Sequence, residues 1–384
     1  LISEETDSMA ANGENQRERM RERPRKGGKP MSKSFVNKAL LGGAVAAGAA
    51  VWAIAPRTFS DKRRNYVPSI PDVWYAHRGL HDAGSGLTAQ YANESGEYVA
   101  LARRMAMKAG YGSPSVTGAI APENSLAAFA AACEAGYGIE LDLQMTADGE
   151  IVVVHDGDLM RVAGDPRRIA DLTYDELTRI PLFPTDAPGA AVAAPLPGSL
   201  EKPPLVTTPD SAPEGYFQHV PLFADVLKVV AGRVPLIVEY KFDDNSKWGS
   251  RDVELMEKGD ALLQAYSGAY VIESFNPAAV NWYKENRPEV CRGQLSWWPQ
   301  GEEKPSDPAA LAKEYAAGAL IFDWISRPDF VAYDWHGGNS PQVRLARFMG
   351  AVPVSWTVRS RDELAQCDDW FDHHIFEAFV PDEQ

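Results

Sequence analysis

Cysteine is scarce in this chain, which has three cysteines among 384 residues. Cys133, Cys291 and Cys367 show neither CxxC nor metal-ligand spacing, and three cysteines cannot build a disulfide framework. This scarcity excludes zinc-ribbon and disulfide-dense scaffolds. We therefore expect the three side chains to be small, buried and apolar.

Positively charged residues are also few. The chain has 38 Lys and Arg and 53 Asp and Glu, which gives a formal net charge of -15. Binding of nucleic acid needs clustered Lys and Arg, so we predict no nucleic-acid partner. An acidic protein can still bind an anionic small molecule where a divalent cation reverses the local sign.

Long apolar runs are missing apart from residues 39–55, ALLGGAVAAGAAVWAIA. The run lies at the short end for a membrane-spanning helix, which needs about 20 residues, and near the long end for a signal-peptide core. Pro56 follows directly and would hinder cleavage. We therefore favour a transmembrane anchor over a removed signal segment, with an ordinary buried helix as the weakest alternative.

The residues around this run predict its orientation. Residues 1–38 form a polar, basic N-terminal tail that cannot build a core, and residues 9–38 hold nine Lys or Arg against three Glu. The positive-inside rule keeps the richer side in the cytoplasm, although further basic residues follow the run at 57 and 62–64. We expect the rest of the chain, after a linker at 56–70, to be membrane-anchored and extracytoplasmic, or secreted if the segment is cleaved.

From residue 71 to 384, β-rich runs alternate with helical patterns, which is typical of βα units and predicts an α/β fold, a (β/α)8 TIM barrel. Strands are expected at 73–77, 138–143, 151–155, 235–241, 269–275, 292–295, 319–322 and 352–358, and a last piece at 375–380 could close the barrel. Helices are expected at 125–135, 173–179, 224–230, 277–286 and 361–367.

Two long stretches interrupt this alternation, residues 81–120 and residues 181–218. The first contains one helical pattern, at 98–108, and the second is crowded with Pro and Ala. Loops of this length in a compact barrel are usually functional or disordered. A lid, a substrate-selecting loop and surface decoration all remain open.

Polar side chains concentrate at the ends of the predicted strands, where barrel enzymes place their functional groups. These strand ends carry His77 and Arg78, then Glu140 and Asp142, then His155, and then Glu239 and Lys241. Only a short Asp148-Gly149 turn separates the strands around Asp142 and His155, too short for a parallel crossover. A local hairpin therefore brings His155 to the Glu140 and Asp142 end.

Three of these side chains, Glu140, Asp142 and Glu239, supply the hard oxygen ligands that suit Mg²⁺ or Ca²⁺. His77 and His155 suit general acid–base work near neutral pH.

Two cations complete the predicted site. Arg78 and Lys241 suit the binding of a phosphate. Together with the metal and the two histidines, they predict cleavage of a phosphodiester.

In order, the segments AHRGL, APENSLAAFAAACEAGYGIELDLQMTADGEIVVVHD, DLTYDEL, VPLIVEYK, ESF and SWTV resemble the glycerophosphodiester phosphodiesterases, within the phospholipase-C-like phosphodiesterase superfamily. The resemblance runs from about residue 73 to the C-terminus, outside the two long stretches. It implies hydrolysis of a small glycerophosphodiester to sn-glycerol 3-phosphate and an alcohol, through a cyclic phosphate formed by attack of the substrate's own hydroxyl.

The same resemblance assigns roles to individual residues. It implies an acid–base pair (His77, His155), metal ligands (Glu140, Asp142, Glu239), phosphate contacts (Arg78, Lys241), a supporting carboxylate (Glu123) and an aromatic border to the glycerol (Trp356). The chain departs from the family pattern at Ser125, where Thr is usual, and at Arg359, where Asn is common. The last strand matches only loosely, at 371–380.

Two alternative functions stay open: a lysophospholipase D-like or phospholipase C-like enzyme on larger lipids, and a non-catalytic membrane-tethered binding module. The second would be marked by loss of a histidine or a metal ligand, and none is missing. His81, in the loop after the first strand, could reach the site, but a solvated position is favoured. His219, His336, His373 and His374 are expected to be structural or at the surface. Trp297, Trp298, Trp324 and Trp335 are expected in the core or rim, or lining a lipid-facing pocket. The sequence does not indicate the oligomeric state.

Overall fold

The computed structural model describes residues 48–57, 63, 65–184, 217–243, 245, 247–299 and 306–382. The chain divides into two units, Leu1–Ala49 and Ala50–Gln384. Of the first unit, only residues 48 and 49 are described. The second unit contains the barrel predicted from the sequence.

Eight parallel strands of this unit close into a barrel. They are β1 (Tyr75–His77), β2 (Gly138–Met145), β6 (Leu236–Tyr240), β7 (Tyr270–Ser274), β8 (Arg292–Ser296), β9 (Phe330–Asp334), β10 (Val352–Val358) and β11 (His373–Phe376). They pair in this order, and β1 pairs with both β2 and β11. Three further strands lie outside the parallel series: β3 (Ile151–Val153), antiparallel to β2, and the small hairpin of β4 (Asp158–Leu159) and β5 (Asp165–Arg168).

Helices connect the strands and cover the outside of the barrel. They are α1 (Ala92–Lys108), α2 (Leu126–Ala135), α3 (Met160–Ala163), α4 (Tyr174–Leu177), α5 (Phe223–Val230), α6 (Ser250–Gln264), α7 (Pro277–Asn286), α8 (Pro308–Gly318), α9 (Asp323–Ser326), α10 (Pro341–Phe348) and α11 (Arg361–Cys367). Ser125 caps α2 by accepting a hydrogen bond from the Ala128 N–H, as its position predicts.

The predicted barrel is confirmed, with one strand misplaced. Residues 319–322, predicted as a strand, lie between α8 and α9. The barrel strand in this part of the chain is β9. Both segments are short apolar runs, which periodicity alone does not separate. The helices predicted at 277–286 and 361–367 are confirmed, and the one predicted at 98–108 begins earlier, at Ala92.

Two predicted segments fall largely outside the described residues. Of the apolar run at 39–55, residues 48–54 are helical and residues 39–47 are not described. None of the helices within the described ranges is both long and apolar enough to cross a membrane. Most of the stretch at 181–218 is likewise undescribed, so its role stays open.

Candidate active site

A cavity opens at the carboxyl ends of the barrel strands. Its lining includes His77, Arg78, Glu140, His155, Glu239, Lys241, Glu273, Phe275, Trp356 and Arg359. Since parallel strands end at the same side of a barrel, residues far apart in the chain meet here. The structure thus brings most of the residues predicted from strand ends to one place.

Three buried carboxylates lie together at this cavity, and two of them, Glu140 and Glu239, line it. Glu140 and Asp142 share one face of β2 because strand side chains alternate, and Asp142 pairs in register with Glu239 of β6. One ligand oxygen from each of the three lies within 4.8 Å of the others. Within the described ranges, Asp142 Oδ1 and Glu239 Oε1 are buried and accept no hydrogen bond, although Lys241 Nζ lies 3.3 Å from Asp142 Oδ1. An all-oxygen set with unsatisfied atoms fits Mg²⁺ or Ca²⁺.

Burial and mutual repulsion perturb the protonation of these acids. Burial, together with Asp142 and Glu239, raises the pKa of Glu140 well above its usual value. Burial likewise raises the pKa of Glu239 to about 7. Burial would also raise the pKa of Asp142, but the charges of Lys241, His155 and Arg78 outweigh it and lower that pKa. The centre therefore stabilises added positive charge.

His77 is held in one orientation by a carboxylate from the end of the barrel. Its Nδ1 lies 2.6 Å from Oε2 of Glu377, which follows β11. A carboxylate can only accept, so Nδ1 carries the proton and Nε2 presents its lone pair. Nε2 lies 3.8 Å from Glu140 Oε2, on the side of the carboxylate centre. Burial lowers the pKa of His77, although Glu377 opposes this.

His155 reaches the same cavity through the predicted hairpin. Strands β2 and β3 pair antiparallel across the Asp148-Gly149 turn, with Leu143 opposite Val153, and the Val154 N–H donates to the Asp142 carbonyl. His155 Nδ1 lies 2.6 Å from Asp156 Oδ1, so its Nε2 is also available. Burial and the neighbouring charges of Arg78 and Lys241 lower the pKa of His155 to about 4. Both imidazoles are therefore neutral near pH 7.

Two cations flank the carboxylates. Lys241 Nζ lies 2.6 Å from Glu239 Oε2 and 3.3 Å from Asp142 Oδ1. Arg78 donates from Nη1 to Glu123 Oε1 at 2.9 Å, and its backbone N–H donates to Glu140 Oε2. Glu123 thus orients Arg78 rather than lining the cavity. These contacts hold positive charge beside the carboxylates, which suits an anionic ligand.

The indole of Trp356 forms part of the apolar wall. It meets Phe275 edge to face at a centroid separation of 5.5 Å. Its Nε1–H is buried and has no hydrogen-bond partner among the described residues. The wall can therefore offer a donor to a polar ligand.

Sequence reasoning missed two carboxylates. Glu377 is the first: the sequence predicts strand at 375–380, whereas β11 ends at Phe376 and Glu377 follows it. Glu273 lies in β7, in register with Glu239, and only 1% of its surface is exposed. The ESF segment could have indicated Glu273, because a charged residue inside an apolar strand needs a partner or a ligand.

The solvated position favoured for His81 is wrong. It is fully buried, its ring packs edge to face on Tyr98 of α1, and its Nε2 lies 3.7 Å from Glu377 Oε2. The long stretch at 81–120 therefore folds back onto the barrel near the site. Arg359, the departure from the family pattern, lies at the rim and donates from Nε to Glu377 Oε1 at 2.6 Å.

The fold and the position of this cavity place the chain among the TIM-barrel proteins with functional groups at the carboxyl ends of the strands. A model described as the glycerophosphoryl diester phosphodiesterase family matches residues 116–376. That range is more than half of the chain, and the protein belongs to this family.

Similar proteins of known sequence match over short stretches. A glycerophosphodiester phosphodiesterase of Caldanaerobacter subterraneus subsp. tengcongensis is 43% identical over 60 residues, which are 15% of this chain and 25% of that protein. Glycerophosphodiester phosphodiesterase 1 of Bos taurus is 43% identical over 61 residues, 16% of this chain and 18% of that protein. The matches thus span a quarter or less of these relatives.

A solved structure supports the fold over a longer range. The putative glycerophosphoryl diester phosphodiesterase from Silicibacter pomeroyi superposes with a TM-score of 0.51 at 20% identity. The superposition covers 81% of this chain and 92% of that chain. At this identity the likeness concerns the barrel alone.

Proposed function

We propose that this protein is a metal-dependent glycerophosphodiester phosphodiesterase, which hydrolyses a glycerophosphodiester to sn-glycerol 3-phosphate and an alcohol. The observation that carries the proposal is the meeting of three carboxylates, two histidines and two cations in one cavity. Membership of the family and the names of the curated relatives support the choice of substrate.

The residues divide the chemistry between them. A Mg²⁺ or Ca²⁺ ion held by Glu140, Asp142 and Glu239 would polarise a phosphoryl oxygen. One imidazole, His77 or His155, removes the proton from the substrate's free hydroxyl, and the hydroxyl oxygen attacks phosphorus. The other imidazole gives a proton to the departing alcohol. Water then opens the cyclic phosphate with the two roles reversed.

The remaining residues position the substrate. Arg78 and Lys241 bind the phosphate oxygens and offset the charge that develops on them. Glu123 fixes the Arg78 guanidinium, and Trp356 borders the glycerol. A bound phosphodiester brings negative charge beside the imidazoles, which favours protonation of the one that acts as the acid.

The test uses the full chain with glycerophosphocholine. Glycerol 3-phosphate should form with added Mg²⁺ or Ca²⁺ and cease to form with a chelator. His77→Ala and His155→Ala should each lower kcat by about 10²- to 10⁴-fold. His336→Ala is the matched control, because that imidazole is half-exposed and does not line the cavity. Unchanged rates in both test variants would refute the mechanism.

The cellular placement is also a proposal. The apolar run at 39–55 would anchor the protein in a membrane, with the barrel on the extracytoplasmic side. A cysteine introduced at Arg179, which is well exposed, should react with a membrane-impermeant maleimide in intact cells. Labelling only after lysis would contradict the outward orientation.

A further inference from the structure

Large apolar side chains are exposed at the end of the barrel opposite the cavity. Five of them form what we name the lower apolar face: Val51, Trp52, Val67, Trp324 and Phe348, which are 44, 53, 79, 46 and 88% exposed. They are more than half of the nine large hydrophobic side chains exposed among the described residues. Exposed apolar side chains gathered at one end of a protein mark an interaction surface.

Ion pairs locate this face at the amino ends of the strands. Asp329 immediately precedes β9, and it binds Arg57 Nη2 at 3.0 Å and Arg63 Nη2 at 3.0 Å. Arg57 also lies beside Gly350, two residues before β10 and two after Phe348. All strands of the barrel start at this end, so the face lies on the far side from the cavity.

The helix at residues 48–54 is fixed to this end by one arginine. Arg327 Nη1 donates at 2.7 Å to the carbonyl oxygens of both Trp52 and Ala55, since the last carbonyls of a helix have no donor within the helix itself. The Arg327 guanidinium also lies 4.7 Å from the centroid of the Trp52 ring.

Aromatic and apolar contacts complete this attachment. The Trp52 ring stacks on Trp324 at 5.9 Å, and Ala53 and Ile54 are buried. Residues 52–55, the last part of the apolar run, thus contact the barrel specifically.

We propose that the lower apolar face lies in the interfacial region of a lipid bilayer, with the catalytic cavity opening away from it into water. The bilayer is the partner because the face is continuous with the longest apolar run of the sequence. Trp is also the side chain enriched at membrane interfaces, and two of the five residues are Trp.

This geometry limits the class of substrate that can reach the cavity. The limit rests on the proposed function. A barrel strand of five residues, such as β6, spans about 17 Å. The cavity opens at the carboxyl ends of the strands and the lower apolar face lies beyond their amino ends, so a lipid embedded in the same bilayer does not reach the cavity. The substrates are water-soluble glycerophosphodiesters rather than lipids resident in the membrane.

The first test places an environment-sensitive NBD probe on the full chain through single substitutions. Phe348→Cys lies on the face, and Trp298→Cys is the matched control, because it is exposed but follows the carboxyl end of β8. Background labelling is measured on the unsubstituted chain. After reconstitution into vesicles of phosphatidylcholine and phosphatidylglycerol, the probe at 348 should shift to the blue and be quenched by nitroxide lipids, while the probe at 298 should not.

Other results overturn the proposal. A probe at 348 that remains in water, or a probe at 298 that enters the bilayer, places the wrong end against the membrane. A blue shift at 348 that develops with protein concentration in lipid-free detergent solution shows that a second copy covers the face instead.

The second test compares two substrates with the same reconstituted protein. Hydrolysis of glycerophosphocholine in the surrounding water should exceed hydrolysis of a long-chain lysophosphatidylcholine in the bilayer by at least about tenfold in kcat/KM. A kcat/KM for the lysolipid that equals or exceeds that for glycerophosphocholine overturns the restriction to water-soluble substrates. Hydrolysis of neither substrate with metal present refutes the proposed function itself, and the probe positions still decide where the bilayer lies.

Discussion

The carboxylate of Glu377 accepts hydrogen bonds from His77 Nδ1, Ser85 Oγ and Arg359 Nε at 2.6, 2.7 and 2.6 Å. Burial would raise the pKa of Glu377, but Arg359 and His77 lower it well below its usual value. A charged carboxylate in this position fixes both the ring and the tautomer of His77. Glu377 therefore acts as a positioning residue for the proposed acid–base pair.

Replacing this carboxylate should impair turnover and spare substrate binding. Glu377→Gln is expected to lower kcat by about 10²-fold with KM changed less than about threefold, because the neutral amide no longer enforces the reactive tautomer. Steady-state kinetics on glycerophosphocholine measures both constants. Glu363→Gln is the control, since Glu363 bonds the Arg359 N–H and Tyr91 but not His77. Equal losses in the two variants would show a general disturbance of the rim.

Glu123 gives a prediction about acid stability. Burial would raise its pKa, but Arg78 and Arg161 outweigh burial and lower it. A carboxyl with a depressed folded-state pKa stabilises the fold fully above the unfolded value of about 4.3, and this stabilisation is lost as pH falls below it. Glu123→Gln should therefore lower the free energy of unfolding by about 3 kcal/mol at pH 7 and by clearly less at pH 3.

Urea titrations at the two pH values measure this difference. Glu254→Gln is a suitable control, because Glu254 is exposed and pairs with Lys258 on the helix surface. It should change stability little at either pH. A Glu123→Gln effect that is the same at pH 7 and pH 3 would mean that packing, not charge, gives Glu123 its role.

The positions of single residues at strand ends could be predicted, because they follow from the local sequence. Glu140 and Asp142 share a face by the two-residue period of a strand, and His155 follows from a short turn. The exposure of His81 could not be predicted, because it depends on how the long stretch after β1 packs on Tyr98. Contacts between distant segments leave no local pattern.

At the scale of elements, the hairpin of β2 and β3 connects the strand that carries Glu140 and Asp142 to His155. Gly149 in its turn has a φ of +82°, a conformation that side chains with a Cβ adopt at a penalty. Gly149→Ala should lower stability by about 1 kcal/mol and leave kcat nearly unchanged, because the antiparallel register of Leu143 and Val153 persists. Urea unfolding and kinetics on the same preparation test both parts. A large loss of kcat with native stability would show that the turn itself shapes the site.

The misplaced strand shows where element prediction fails. Residues 319–322 and β9 are both apolar and are separated by one short helix, α9. The choice between them depends on non-local pairing, in which β9 aligns with both β8 and β10. The helices at 277–286 and 361–367 needed no such information, because Asn276 and Ser360 cap them locally.

At the scale of the whole molecule, the barrel concentrates negative charge where burial is greatest. Burial raises the pKa of Glu273 well above its usual value, and the neighbouring charge of Glu239 adds to this. Together with Glu140, these acids favour protonation in the folded state more than in the unfolded chain. Without a cation, their ionisation therefore destabilises the fold as pH rises from about 4.3 towards neutrality.

A bound divalent cation should remove this penalty, so its stabilising effect should grow with pH. Metal at about 100 times its Kd adds about 2.7 kcal/mol, which corresponds to a rise in Tm of about 5 °C. We expect this rise for the full chain at pH 8 and a smaller one at pH 5.5, where Glu239, with a pKa of about 7, is mostly protonated. Calorimetry with Mg²⁺, Ca²⁺ or chelator measures it, and Asp142→Asn should abolish it. A rise that is independent of pH, or that persists in Asp142→Asn, would place the cation elsewhere on the protein.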